Sequence, residues 1–507
     1  MTAAAAFLRA RSGEAVAAAD VPLLPAERFQ GLLADALTAG GRLSAYYGEP
    51  LGDGRTLVTA VVPDDADHTL GILRTSAAGR LPSLAEECPG IQLFERELAE
   101  QHGVVPEGHP WLKPVRFEPV APGPDPFGRT LPAGDIPGDV PFFAMEGEEL
   151  HEVAVGPVHA GVIEPGHFRF QCHGEHVFHL EISLGYQHRG AERMLLGGPT
   201  PRTAALVESL AGDTAVGHAL AHARAVEGLA GAEAPPRAAA LRAAALELER
   251  LANHVGDIGA LAGDVGFLPT ASFCGAERAA FLNGLAEICG SRFGRGLVVP
   301  GGVRFDLPAD AAVRLAARVE EAWSRAHAAA RLFFRSPSAR NRTDGTGRVT
   351  RDTARALGLV GPAARACGLP VDVRWSHPFA PYPSPGAEPA THSAGDVAAR
   401  AWVRYQEAGR SARLVARLLR SLPEGPVRAA LPPLRPGRLA VSLAEGWRGE
   451  ICHAIATGPD GRFARYKVVD PSFHNWMGLQ MAMRDQEISD FPLCNKSFNL
   501  SYCGHDL

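Results

Sequence analysis

The stretch that most limits how this chain can fold is residues 118–141, EPVAPGPDPFGRTLPAGDIPGDVP. Proline locks φ and removes a backbone donor, so a segment this dense in proline and glycine sustains neither a helix nor a central strand. It reads as an extended linker packed along a surface. It divides the 507 residues into a first unit, 1–117, and a second, 142–507. Length agrees with that division, since a chain of this size does not close around a single core.

Strand and helix signals alternate in the first unit. LSAYYGE, RTLVTAVVP and HTLGILRT predict short strands, and residues 26–37 predict an amphipathic helix. A second helix follows in GIQLFERELAEQH and stops at Gly103. Its Glu/Arg face, taken alone, reads as solvated.

The second unit opens with VGPVHAGVIEPGHFRFQCHGEHVFHLEISLGYQHRGAERML, whose period-two alternation predicts a hairpin or meander ending in a helix near Arg189. His159, His167, His173, His176, His179 and His188 crowd here. They fall on both strand faces, which argues against a self-contained zinc site. Farther on, LRAAALELERLANHVGDIGALAGDVG repeats apolar residues at three and four, the pattern of a long core helix in a helical bundle. Glu249, Arg250 and His254 on it read as a buried, mutually satisfied polar cluster. The last forty residues read as helix, turn and buried coil, with Cys494, Cys503, His505 and Asp506 gathered near the end.

Net charge is −6, without a block of like charges, which argues against nucleic-acid binding. The eight cysteines are scattered with no CxxC pair, as expected of reduced thiols in the cytoplasm. No secretory signal is apparent. No apolar run free of charge is long enough to span a membrane.

FERELAEQHGVVPEGHPWLKP resembles the signature of the 30-kDa-type subunit of respiratory complex I, with Glu95, Arg96, Glu97, Gly108, His109 and Pro110 in place. In that family the domain carries no cofactor and docks its neighbours. GPVHAGVIEPGHFRF and LGYQHRGAE resemble the start of the large-subunit family shared by [NiFe]-hydrogenases and complex I 49-kDa subunits. The likeness continues through residues 246–267, 294–306, 341–374 and 445–493. With the first unit fused in front, the chain is similar to large subunits of energy-converting, group 4 hydrogenases of the formate-hydrogenlyase type. The resemblance implies an α+β fold: a small α/β domain, then a mainly helical large-subunit domain with a small N-terminal β-sheet.

Hydrogenases of this family hang nickel and iron from four thiolates in two CxxC pairs, because soft sulfur ligands hold those metals. Here the corresponding positions are Ala211, Thr214, Ser501 and Gly504, with Cys503 displaced by one residue, so the nickel-iron centre is expected to be absent. The histidine of the first motif, His218, is kept. Complex I relatives use a tyrosine in the first-motif loop and a histidine of the hairpin for quinone. This loop has no tyrosine, which leaves His159, His167 and Asp213 as candidate acceptor-binding groups. Glu164 matches a proton-passing carboxylate, Arg448 the arginine overhanging the centre, and Asp470, His474 and Asp490 lie in blocks that approach it. Glu164, Arg448, His218 and Asp470 are therefore the catalytic candidates. His218 and His222 are four apart on a helix face, so a metal site completed by Cys503, His505 or Asp506 is a further candidate.

The resemblance also implies partners: an iron-sulfur small subunit, a ferredoxin-like subunit and a membrane arm that moves protons or sodium, on the cytoplasmic side of the cell membrane. The expected role is a redox subunit passing electrons to a quinone or another small acceptor. The alternative is a non-catalytic scaffold, expected if side chains fill the space around Ala211, Ser501 and Arg448. An active hydrogenase would need the four thiolates.

Overall fold

A computed structural model describes residues 7–119, 125–130, 134, 140–158, 163–382 and 388–507. His159 lies outside the described residues.

In the first unit the three strands read from the sequence form an antiparallel sheet, Ala45–Pro50, Thr56–Asp64 and Thr69–Ala77. Leu8–Ala10 adds at its edge, and Leu23–Leu24 pairs parallel with Thr69–Ala77. Val58, Ala60 and Leu73 share one face of this sheet, with Tyr46 opposite Ala60, and turn inward against Phe29 and Leu33 of the helix Ala26–Thr38 and Phe94 and Leu98 of the helix Gln92–His102. Gly103, at φ 66°, ends that second helix in the left-handed conformation glycine adopts without strain.

The face of Gln92–His102 that reads as solvated is in fact buried, with Glu95 and Glu97 each 2% exposed. Glu95 accepts from Ser83 and from the Leu84 amide, and burial pushes its carboxyl up to about 7. Glu97 accepts from Arg116 and, at 2.6 Å, from Lys467 Nζ of the second unit. Arg96 donates to the carbonyls of Lys113 and Pro114. Glu97 thus fixes the domain against its neighbour and Arg96 against its own exit segment, while Glu95 holds a turn of the domain itself. Helical spacing alone does not show what stands opposite them.

The second unit carries the expected small sheet, Leu150–Val155, His167–His173 and His176–Ser183, all antiparallel. Its bundle is built on Pro236–Asp264, packed against Leu268–Cys289 and Val397–Arg420, with Ala309–Arg335 outside. Alanines at 238, 243, 244, 245 and 252 are fully buried, letting the helix axes approach closely. Glu249, Arg250 and His254 are buried as expected but do not satisfy one another, and Arg250 Nε and His254 Nδ1 find no hydrogen-bond partner among the described residues. Glu249 accepts from the Val216 and Gly217 amides, while Arg250 and His254 both reach Glu407.

One part of the architecture departs from the mainly helical expectation. A second antiparallel sheet, Arg438–Glu445, Glu450–Thr457 and Phe463–Val469, is completed by Ala15–Ala17 from the far end of the chain. The first unit's core is continuous with this sheet through Leu439, Val441 and Leu443, and with Phe473 of the helix Pro471–Ala482 that follows it. The helix Ala215–Ala230 lies across its first two strands.

Candidate functional site

The hairpin between Arg438–Glu445 and Glu450–Thr457 closes through reciprocal bonds between Gly446 and Gly449, with Trp447 and Arg448 at its tip. Gly449 stands at φ 136° against the backbone of Gly361, where a side chain has no room. The side chains of the tip hold it against the loop preceding Ala215–Ala230. Trp447 Nε1 donates to the Asp213 carbonyl and to Thr214 Oγ1, and the Arg448 guanidinium lies 3.8 Å from the Trp447 ring centre.

Arg448 meets Asp213 as a two-pronged ion pair, Nη1 to Oδ1 at 2.6 Å and Nη2 to Oδ2 at 2.8 Å. Its Nε donates to the carbonyl of Asn499, and Nη1 also reaches Thr214 Oγ1 at 3.3 Å. Burial would push the Asp213 carboxyl up, but the guanidinium beside it more than reverses this and holds it below the ordinary carboxylate value. The Arg448 side chain is 5% exposed and that of Asp213 34%, so the pair has one wet end and one dry end. Asn499, at φ 46°, ends the helix Phe491–Phe498 and donates to Asp257. Arg448 thus ties the first-motif loop to the chain's tail.

The charge of Arg448 also acts on Asp470, the N-cap of Pro471–Ala482, which accepts from the Ser472 amide at 2.8 Å. Its Oδ2 stands 3.0 Å from His218 Nε2. Burial raises the Asp470 carboxyl, yet His218 and Arg448 together leave it lowered. His218 Nδ1 is 3.0 Å from His453 Nε2, His453 Nδ1 is 2.8 Å from the Tyr466 hydroxyl, and that hydroxyl is 2.7 Å from His222 Nδ1. Sequence reading missed His453 and Tyr466. Two polar side chains on one face of otherwise apolar strands were the available signal.

The four positions that the resemblance matches to hydrogenase cysteines each have a definite place in the fold. Ala211 is fully buried, and its carbonyl accepts from the Thr214 amide at 3.0 Å. Thr214 donates to Asp213. Ser501 caps the last helix, Tyr502–Asp506, by accepting from the Gly504 amide at 2.9 Å. A Cβ on Gly504 would stand 2.6 Å from Cγ of Asp470. No thiolate exists at any of these positions, and the Asp470 carboxylate takes the space a side chain at 504 would need. The donor set does not fit a four-thiolate centre.

The remaining candidates are placed as follows. Glu164 accepts from the Tyr502 amide at 3.3 Å and faces Cys503, whose thiol burial pushes up to about 11, with the carboxylate adding to the shift. His167 contacts the Gly156 carbonyl and the Phe142 ring rather than Asp213 or Arg448, so these two members of the expected acceptor-binding set do not meet, while the third, His159, lies outside the described residues. His222 faces Tyr466. His505 pairs with Asp506 and packs on Phe473, and Asp506 accepts from the Gly185 and Gln187 amides. His218, His222 and the tail residues therefore do not converge as the proposed ligand set. Among the described residues no three metal-ligating side chains stand together. His474 abuts Phe94, and Asp490 pairs with Arg342. None of these contacts belongs to the Asp213–Arg448 pair.

Residues 264–438 match the family model described as respiratory-chain NADH dehydrogenase, 49 Kd subunit. A carbon monoxide-induced hydrogenase of Rhodospirillum rubrum is 32% identical over 69% of this chain and 97% of its own length. The chain belongs to the family of complex I 49-kDa and energy-converting hydrogenase large subunits. Another member, formate hydrogenlyase subunit 5 of Escherichia coli (strain K12), is 28% identical over 83% of this chain and 76% of its own. The fold is shared with a chain of an archaeal membrane-bound sulfane sulfur reductase, at a TM-score of 0.66 and 24% identity, covering 71% of this chain and 99% of that one. This large subunit is accordingly an oxidoreductase subunit. Among its described residues no helix is long and apolar enough to cross a membrane.

Proposed function

We propose that this large subunit serves a membrane-associated, complex I-like energy-converting assembly in which it works without nickel. On this reading the chain sits peripherally on the cytoplasmic face. It receives electrons from an iron-sulfur small subunit fed by a ferredoxin-like protein, and reduces a quinone or similar small acceptor beside the membrane arm. The observation that carries the reading is the wet Asp213 carboxylate clamped by dry Arg448, whose charge also acts on Asp470 of the Asp470–His218 pair. A carbonyl acceptor needs a hydrogen-bonding anchor as it gains electrons and a proton source as it becomes a hydroxyl, and these residues offer both kinds of group.

Arg448 would orient the acceptor oxygen by sharing the guanidinium now given to Asp213. Asp470 and His218 would hold the proton. Quinone-dependent oxidation of reduced ferredoxin by the purified complex tests this, with Arg448→Ala lowering turnover by about 100-fold, as loss of one charge-stabilising donor does elsewhere. The packing of Gly504 on Asp470 and the capping role of Ser501 favour the second reading, a scaffold coupling the small subunit to the membrane arm. That reading predicts turnover unchanged by Arg448→Ala.

A further inference from the structure

We infer that Asp470, His218, His453, Tyr466 and His222 form an oriented proton relay, running from the carboxylate packed against Gly504 outward to His222. Its purpose rests on the acceptor reading above; its geometry does not. The chain consists of four hydrogen bonds in series, each 2.7 to 3.0 Å. His218, His453 and Tyr466 are 0% exposed and Asp470 1%, while His222 at 4% keeps a trace of solvent contact.

The direction follows from donor counting. An ionised Asp470 only accepts, so His218 must carry its proton on Nε2. In the relay His218 accepts at Nδ1, which requires His453 to donate from Nε2. His453 Nδ1 becomes an acceptor and takes the Tyr466 hydroxyl proton. The Tyr466 oxygen in turn accepts from His222 Nδ1–H, leaving His222 Nε2 as the open acceptor at the outer end. Burial keeps His222 neutral, holding it near 4, and burial together with the neighbouring histidines pushes His453 well below its usual value. Each link therefore holds one proton, and all four point the same way.

A proton taken up at His222 Nε2 moves the Nδ1 proton to Tyr466, the phenolic proton to His453 Nδ1, the His453 Nε2 proton to His218 Nδ1, and the His218 Nε2 proton to Asp470. One proton enters and one carboxylic acid appears, with no net change elsewhere. Arg448 faces Asp470 from the hairpin, and Glu192 faces Tyr466. Asp470 can pass its proton to an acceptor and return to the carboxylate. Ring and hydroxyl reorientation then resets the chain.

The test is nitrogen-resolved NMR of the full chain carrying 15N-histidine. The relay requires protons on Nε2 of His218 and His453 and on Nδ1 of His222; any other pattern overturns it. In D2O the His218 Nε2 proton should exchange through the relay. Tyr466→Phe, which keeps the ring, should slow that exchange by about 100-fold, the low end of what a positioned proton carrier contributes. His222→Gln should slow it likewise and serves if Tyr466→Phe fails to fold. A purely structural network predicts unchanged or faster exchange, because losing a buried bond loosens the fold; that result overturns the relay. Neither readout needs an acceptor. Absence of quinone reduction by the complex would therefore remove the proposed function and leave the relay to be judged by exchange alone.

Discussion

The carboxylate of Asp470 occupies the space that a side chain at residue 504 would need, since a Cβ on Gly504 would lie 2.6 Å from its Cγ. Backbone at Gly504 is helical and held by Ser501, so the glycine is present for room rather than for an unusual φ. Gly504→Ala is expected to lower stability by about 1–3 kcal/mol, the range of overpacking in a filled interior. Urea unfolding of the single variants and of Gly504→Ala with Asp470→Ala checks the assignment. The double variant should recover part of the loss, because the two sites couple through one volume.

Arg448→Lys separates charge from geometry. A lysine keeps the cation but cannot make the two-pronged contact with Asp213 while also donating to Asn499. The expected cost is about 1.5–3 kcal/mol from lost charged hydrogen bonds. Acceptor reduction should fall between wild type and Arg448→Ala. Steady-state turnover and thermal unfolding of the same preparations measure both.

Glu407 lies at the centre of the bundle's ion network, accepting from Arg250 Nη2 at 2.5 Å, Arg365 Nε at 2.6 Å and His254 at 3.1 Å. Removing its charge leaves two buried guanidinium groups short of a partner. Glu407→Gln should therefore cost about 3–5 kcal/mol although it conserves shape. Equilibrium denaturation reads the loss directly.

Glu249 supplies a pH signature. Burial raises its carboxyl to about 8, against the donors at Val216 and Gly217 that pull it down. The folded value exceeds the unfolded value near 4.5. Its contribution is therefore fully present below pH 4.5 and is lost as pH climbs toward 8, at up to about 1.4 kcal/mol per pH unit. Glu249→Gln removes this titration, so its stability relative to wild type should improve steadily between pH 5 and 8. A constant difference across that window would show that Glu249 is ionised in the fold.

Much of the architecture was legible because it is local. The spacing of Phe94 and Leu98, the long apolar stripe of residues 236–264 and the period-two runs at 45–50 and 56–77 each state their own geometry. The sheet at 438–469 was hidden because one of its strands is Ala15–Ala17, more than four hundred residues away, and its central strands are buried on both faces. Apolar runs of that kind do not declare strand or helix by pattern. Asp213 and Arg448 were both candidates, but only the hairpin tip brings them together. His453 and Tyr466 become neighbours through register, since His453 pairs with Val468 and Ile455 with Tyr466, placing both side chains on one face. No local motif encodes that adjacency.

The central claim is an oxidoreductase subunit that works without nickel. The most direct measurement is the rate of quinone-dependent oxidation of reduced ferredoxin by the complex purified from nickel-depleted cells, compared with the same complex from nickel-replete cells. Equal rates, lost together on Arg448→Ala, are the predicted result. Activity that vanishes on depletion and returns with stoichiometric nickel would contradict the account.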